Sequence, residues 1–242
     1  METNESNQIP QWDQEFRIDK HGMVTFSSIF IAPRNSGKTS MVNYLLDGPL
    51  KDKFDNVIVF TTRSGIDEYA EFINPKLLFE GFQHDLIARI RDLNDEKELP
   101  YNVLVIMDDT NSRKEKFNSG ILELYTNGRH SNISVIYCTQ SPTLVDNVWK
   151  ANSDYIFIWN PRTSRYRDYV VKNILDGVLD LEFEKTKEED IFYKQLLRTI
   201  TSEPHRALVV DMLENDITQF MIPEEFFYDG DEDEDDYEGG ES

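Results

Sequence analysis

Apolar residues gather in short runs separated by polar turns. Runs at 16–19, 23–31, 56–61, 102–107, 133–138 and 155–159 have strand length and end in turn-forming or charged residues. Several are apolar at every position, the pattern of strands covered on both faces. Between them, stretches at 40–46, 85–93, 119–125, 165–175 and 187–199 carry the apolar spacing of helices. Asp47-Gly48-Pro49 ends the first of these, since glycine and proline do not continue a helix. Strand and helix in alternation predict an α/β fold with a mostly parallel sheet flanked by helices. Two further runs, 207–212 and 217–222, bracket Leu213-Glu214-Asn215-Asp216 and predict a closing antiparallel hairpin.

Composition leaves room for that core. The chain has 242 residues, 39% hydrophobic, and divides into a polar segment 1–14, a domain over 15–223 and an acidic tail over 224–242. The start is polar and acidic, unlike an export signal, and no run reaches the roughly 20 apolar residues of a membrane span, so a soluble, intracellular protein with no membrane partner is expected. The single cysteine, Cys138, sits in a strand-like run and reads as a packed thiol, which leaves neither a disulfide framework nor a cysteine zinc site.

The strand at 23–31 runs into Ala32-Pro33-Arg34-Asn35-Ser36-Gly37-Lys38-Thr39, followed by Ser40 and a helix. This is the strand, loop and helix order of a P-loop, in which backbone N–H groups and the helix N-terminus face phosphates. Lys38 neutralises the β/γ charge and Thr39 binds Mg2+. Residues 32–40 are therefore the expected ATP-binding loop, with Ala32 in place of the usual first glycine. The strand at 102–107 ends in Asp108-Asp109, at the sheet edge where open α/β folds bind ligands. Asp108 is the expected metal-associated carboxylate, and Asp109 the group that orients or deprotonates the attacking water; as a pair without the loop they would be a cap or a turn. Gln140, after the strand at 133–138, is either a sensor of the γ-phosphate and lytic water or a solvated loop residue.

Lys38-Thr39, Asp108-Asp109, Asn127-Gly128-Arg129-His130 and Thr139-Gln140, in that order, resemble the viral genome-packaging ATPases of the FtsK/HerA superfamily, in the poxvirus-type branch of large DNA viruses and virophages. The resemblance covers about 28–159, with a continuation through the hairpin. It implies a RecA-like P-loop ATPase working as a pentameric or hexameric ring that drives double-stranded DNA into a preformed capsid. Capsid vertex proteins would be partners, in the host cytoplasm, the viral factory or the virion. It also implies a catalytic role for Arg129 as an arginine finger, acting in trans; the same residue reads equally well as a helix-end arginine paired with a nearby acid. His130 reads as structural. Val148-Trp149-Lys150 stands where many relatives carry an Ile-Arg pair.

A net charge of −21 opposes DNA binding in general, so local basic loops would have to supply phosphate contacts. Arg113-Lys114-Glu115-Lys116 and Arg162-Thr163-Ser164-Arg165-Tyr166-Arg167 qualify, each equally readable as a solvated face. From Glu224 onward eleven acids and no base account for more than half of the net charge, which predicts a disordered tail that either solubilises the chain or guards a basic channel. Two other functions fit the motifs: a P-loop phosphotransferase acting on a small molecule, and a non-hydrolysing scaffold for capsid partners.

Overall fold

The computed structural model describes residues 9–18, 22–96, 100–110, 119–176, 178, 187–203, 205–223 and 226. One eight-stranded sheet runs in the order β3-β2-β4-β5-β1-β6-β7-β8. Its strands are β1 (Ser27–Ile31), β2 (Asn56–Thr61), β3 (Leu78–Glu80), β4 (Val103–Asp108), β5 (Ile133–Thr139), β6 (Tyr155–Ile158), β7 (Arg206–Asp211) and β8 (Asp216–Met221). The first six are parallel, and β7 and β8 close one edge as the expected antiparallel hairpin.

The continuously apolar strands divide their side chains between two cores because successive residues point to opposite faces. Ile29, Val105, Met107, Val135, Tyr137 and Ile158 join one core, while Phe30, Leu104, Ile106, Ile136, Cys138 and Phe157 join the other. The first face is covered by α3 (His84–Asp95), α4 (Ser119–Asn127), α5 (Asn147–Ala151), α6 (Ser164–Val170) and α7 (Lys187–Ile200), through residues such as Ile87, Ile121, Trp149, Val170 and Leu197. The second face is covered by α1 (Lys38–Asp47), through Met41, Val42 and Leu45, and by Tyr69 of α2 (Ile66–Tyr69). The fold is the P-loop α/β class expected.

Several elements differ from the pattern reading. The run at 23–31 becomes strand only from Ser27, and its partner at 16–19 contributes an isolated bridge between Ile18 and Val24. The stretch at 165–175 is not one α-helix: α6 ends at Val170 and Val171–Leu175 forms a π-helical turn. The short edge strand β3 and helices α2 and α5 went unread, being only three to five residues long. Residues 9–14, read as part of a polar lead segment, lie against the sheet: Trp12 is buried, its N–H donates to Gln219 O at 2.9 Å, and its ring meets Phe157 and Phe220 edge-on.

Candidate functional site

The order of strands sets the chemistry. β5 lies between β1, which carries the loop 32–37, and β4, which carries Asp108, so three strand ends deliver the loop, Gln140 and both carboxylates to one edge. Left-handed backbone occurs at both of its turns. Asn35 has φ 57°, Gly37 φ 90° and Asp109 φ 53°, left-handed values at the turns where the chain leaves two strands. Gly37 is required twice over, because a Cβ there would also stand 2.3 Å from His205 Nδ1. The helix after it opens on Lys38 with no side-chain cap, so its first-turn N–H groups have no intrahelical acceptor and present an anion-seeking end.

The side chains converge as the sequence predicts. Lys38 is buried, and its ammonium forms an ion pair with Asp108 Oδ1 and lies 3.4 Å from Asp109 Oδ1. Thr39 Oγ1 donates to Asp108 Oδ2 at 3.1 Å, and Gln140 Nε2 donates to Asp109 Oδ1 at 3.1 Å. Ser36 Oγ donates back to Pro33 O at 2.6 Å, holding the loop's turn. These residues line a cavity of about 300 Å³ together with Thr61, Thr62, Glu68 and Ser40. Thr39 and Asp108 offer hard oxygen donors about one hydrogen bond apart, the set Mg2+ takes from a protein while phosphates and water complete its shell. The donor chemistry therefore fits a magnesium nucleotide.

Tyr69 was not singled out by any motif, yet its hydroxyl donates to Asp108 Oδ2 at 2.8 Å from a fully buried position. Burial pushes that hydroxyl well above the usual tyrosine range, so it stays a donor. Burial likewise pushes the Cys138 thiol up to about 12, which makes it the inert packed thiol expected.

Arg129 lies elsewhere. It sits in the 3-10 turn before β5, and the seven residues of that strand, about 23 Å at the usual rise, separate it from Gln140. Its Nη1 pairs with Asp154 Oδ1 at 3.1 Å. Asp154 is buried, also accepts from Ser27 N at 2.7 Å, and has Arg17 at 3.5 Å. Within one chain Arg129 thus holds the opposite sheet edge together, a strand length from Gln140. Lys150, in the Val148-Trp149-Lys150 segment, is buried with its ammonium over the Tyr169 ring at 5.5 Å.

Of the two basic segments, 113–116 falls outside the described residues. The other is exposed over 162–165, as a solvated face would be; Arg162 Nη2 also donates to Arg34 O at 2.6 Å, and the half-buried Arg167 donates from Nη2 to Pro161 O at 3.4 Å. The acidic tail also lies outside the described residues apart from Phe226, whose ring packs on Tyr44 at 5.4 Å.

A family model described as Poxvirus A32 protein matches residues 13–176, from the buried amino-terminal segment through the π-helical turn. The chain belongs to this family. The match to the Poxvirus A32 family takes in β1 to β6 and stops short of the closing hairpin. An uncharacterised protein 015R of Frog virus 3 (isolate Goorha) is 23% identical over 156 residues; the match takes in 62% of this chain and 48% of that protein, so the chain spans about half the length of this curated relative. Among solved structures, the genome packaging NTPase B204 of Sulfolobus turreted icosahedral virus 2, in complex with AMP, superposes with a TM-score of 0.62 at 14% identity, over 82% of this chain and 98% of that one. B204, the DNA-packaging ATPase of Sulfolobus turreted icosahedral virus, gives 0.61 at 16% identity over 82% and 98%. The cytoplasmic domain of the type VII secretion ATPase EccC from Thermomonospora curvata gives 0.52 at 11%, over 85% of this chain and 26% of that one. At these identities the likeness is one of fold, and it extends beyond the family match to take in the greater part of the chain.

Proposed function

We propose that the protein is a magnesium-dependent ATPase whose turnover drives double-stranded viral DNA into a preformed capsid, as a homo-oligomeric ring docked on capsid vertex proteins. The observation that carries the reading is the meeting of Lys38, Thr39, Asp108, Asp109 and Gln140 on one cavity beside an uncapped helix N-terminus. Membership in the Poxvirus A32 family and a fold shared with B204, solved with ATP-gammaS, AMP and AMPPCP, support it from outside the chain.

The roles follow from charge and reach. Bound Mg2+ would supply charge neutralisation to the β- and γ-phosphates, with Thr39 and Asp108 holding it. Lys38 would exchange its carboxylate partners for phosphate oxygens. Asp109, which accepts from Gln140 Nε2 at 3.1 Å, would take the proton of the attacking water, and Gln140 would hold that base in position.

Phosphate release measured with and without double-stranded DNA tests the reading. DNA-stimulated release that is lost in Lys38→Ala is the expected result. A chain that releases phosphate at the same rate with and without DNA, in the presence of a ring by mass measurement, loses the motor reading and keeps only the hydrolase.

A further inference from the structure

The segment that follows β6 is basic in a chain of net charge −21. From 162 to 173 it carries Arg162, Arg165, Arg167 and Lys172 against one acid, Asp168, and Lys194 of α7 already pairs with that acid at 2.7 Å. The Lys194 hydrogen bond, with the charges of Lys172 and Arg167 nearby, holds the Asp168 carboxyl below its usual range. Arg162 and Arg165 are exposed, and neither has a carboxylate partner among the described residues.

Where this segment is fastened sets it apart from an ordinary solvated face. β6 is registered on β1, with Ile158 beside Ile31, so the chain leaves β6 at the same edge as the phosphate loop. There Arg162 Nη2 donates to Arg34 O at 2.6 Å, inside the loop. One turn further on, the hydroxyl of Tyr166 accepts from Ser141 Oγ at 3.1 Å. Ser141 follows Gln140, whose amide donates to Asp109, and its own N–H donates to Thr139 Oγ1 at 3.2 Å. Thr163 Oγ1 caps α6 by accepting from Tyr166 N at 3.2 Å, which joins the two fastenings through one capped turn.

We propose that residues 162–165 contact the phosphates of double-stranded DNA and that this contact gates hydrolysis, through Arg162 to the phosphate loop and through Tyr166 to the loop bearing Gln140. The inference rests on the motor reading and deepens it, by naming how DNA reaches the ATP site. The two-state element is Arg162. Without DNA it holds a neutral carbonyl of the loop. A DNA phosphate is an anionic acceptor and makes the stronger, charge-assisted bond, so DNA draws the guanidinium off Arg34 O. α6 moves with it, and the bond between Tyr166 and Ser141 carries the displacement to the residue beside Gln140. Phosphate contacts carry no base sequence, so the response is to any duplex.

The test measures phosphate release and duplex affinity on the full chain at several salt concentrations, for the wild type, Arg165→Ala, Tyr166→Phe and Ser141→Ala. Arg165→Ala should lower duplex affinity about threefold or more and reduce the slope of log affinity against log salt by about 1. Tyr166→Phe should keep the affinity, the slope and the DNA-free rate, and cut stimulation by DNA about fivefold, the worth of one neutral hydrogen bond. Ser141→Ala breaks the same bond from the other end and should match it. Wild-type affinity and slope in Arg165→Ala overturn the contact. Full stimulation in either Tyr166→Phe or Ser141→Ala overturns the relay, as does an equal fall in the DNA-free and DNA-stimulated rates. A wild-type chain that hydrolyses ATP at a rate indifferent to DNA is a separate failure: it removes the motor reading, and this inference with it, before any variant is compared.

Discussion

The hydroxyl of Tyr69 donates to Oδ2 of Asp108 at 2.8 Å, the same oxygen that accepts from Thr39. A buried tyrosine from the second core thus fixes the carboxylate that is proposed to hold Mg2+. Tyr69→Phe keeps the ring packing and removes one hydrogen bond to a charged acceptor, worth about 1.5 kcal/mol or roughly tenfold. The Mg2+ concentration for half-maximal phosphate release should rise by about that factor, with nucleotide binding in EDTA unchanged. An unchanged magnesium profile would assign Tyr69 to packing alone.

Lys38→Ala removes the cation from a buried pair in which Asp108 is its partner. Turnover should vanish. Leaving a buried carboxylate without its counter-ion costs about 3 kcal/mol, the low end for such pairs because Thr39 and Tyr69 still donate to it. The melting temperature of the nucleotide-free chain should therefore drop, and adding Asp108→Asn should recover most of the loss. Asp109→Asn, at a more exposed site, should keep nucleotide binding and stability and lose hydrolysis. Hydrolysis at the wild-type rate in Asp109→Asn would remove it as the base.

Arg129→Ala separates a structural from a trans catalytic role. The Asp154 pair is one-third exposed on the arginine side, and Asp154 keeps Ser27 N and Arg17, so the loss should be about 1–2 kcal/mol, well under the cost of opening a fully buried pair. If Arg129 also acts across a subunit boundary, mixing with Lys38→Ala subunits restores activity. A normal melting temperature would contradict the structural role, and absence of rescue in oligomers shown to mix would end the finger.

Alkaline pH should weaken the fold. Burial raises the folded-state values of Cys138, to about 12 from 9.0, and of Tyr69, Tyr125 and Tyr155, so each group binds its proton more tightly folded than unfolded. The stability they contribute is complete below the unfolded values and is lost as pH rises from about 9 upward. The urea midpoint should fall between pH 8.5 and pH 10.5, roughly in step with thiol and phenol titration of the unfolded chain. In native protein at pH 8 Cys138 should resist iodoacetamide and react once unfolded; a flat midpoint and a reactive native thiol would show the site to be solvated.

Two truncations separate charge from packing in the tail. Ending the chain after Pro223 removes Phe226, which packs on Tyr44; ending it after Tyr228 keeps that contact and removes most of the acids. If the acids guard a DNA-binding channel, the longer form should bind DNA more tightly than the full chain at low salt. The gain should shrink as the Debye length falls from about 30 Å at 0.01 M to about 8 Å at 0.15 M. Equal DNA affinity at every salt would leave the tail a solubilising role.

The sequence by itself determined the glycine-lysine loop between strand and helix, the carboxylate pair at a strand end and the alternation of strands and helices, because each is local: apolar period, glycine before lysine, and acids at a strand end are written in consecutive residues. It also determined that Cys138 is packed, since a thiol inside an apolar strand has nowhere else to go. What only the tertiary structure decided is which distant side chains meet. Tyr69 reaches Asp108 because β2 lies beside β4, a pairing no local pattern encodes. Arg129 sits across the sheet from Gln140 because a strand carries its two ends to opposite edges, so closeness in sequence to a sensor strand became distance in space. Arg162 is exposed, as a surface base should be, yet it also reaches the carbonyl of Arg34 because β6 is registered directly on β1. Strand order and register are summed over many weak long-range contacts, and those sums exist only once the chain has closed.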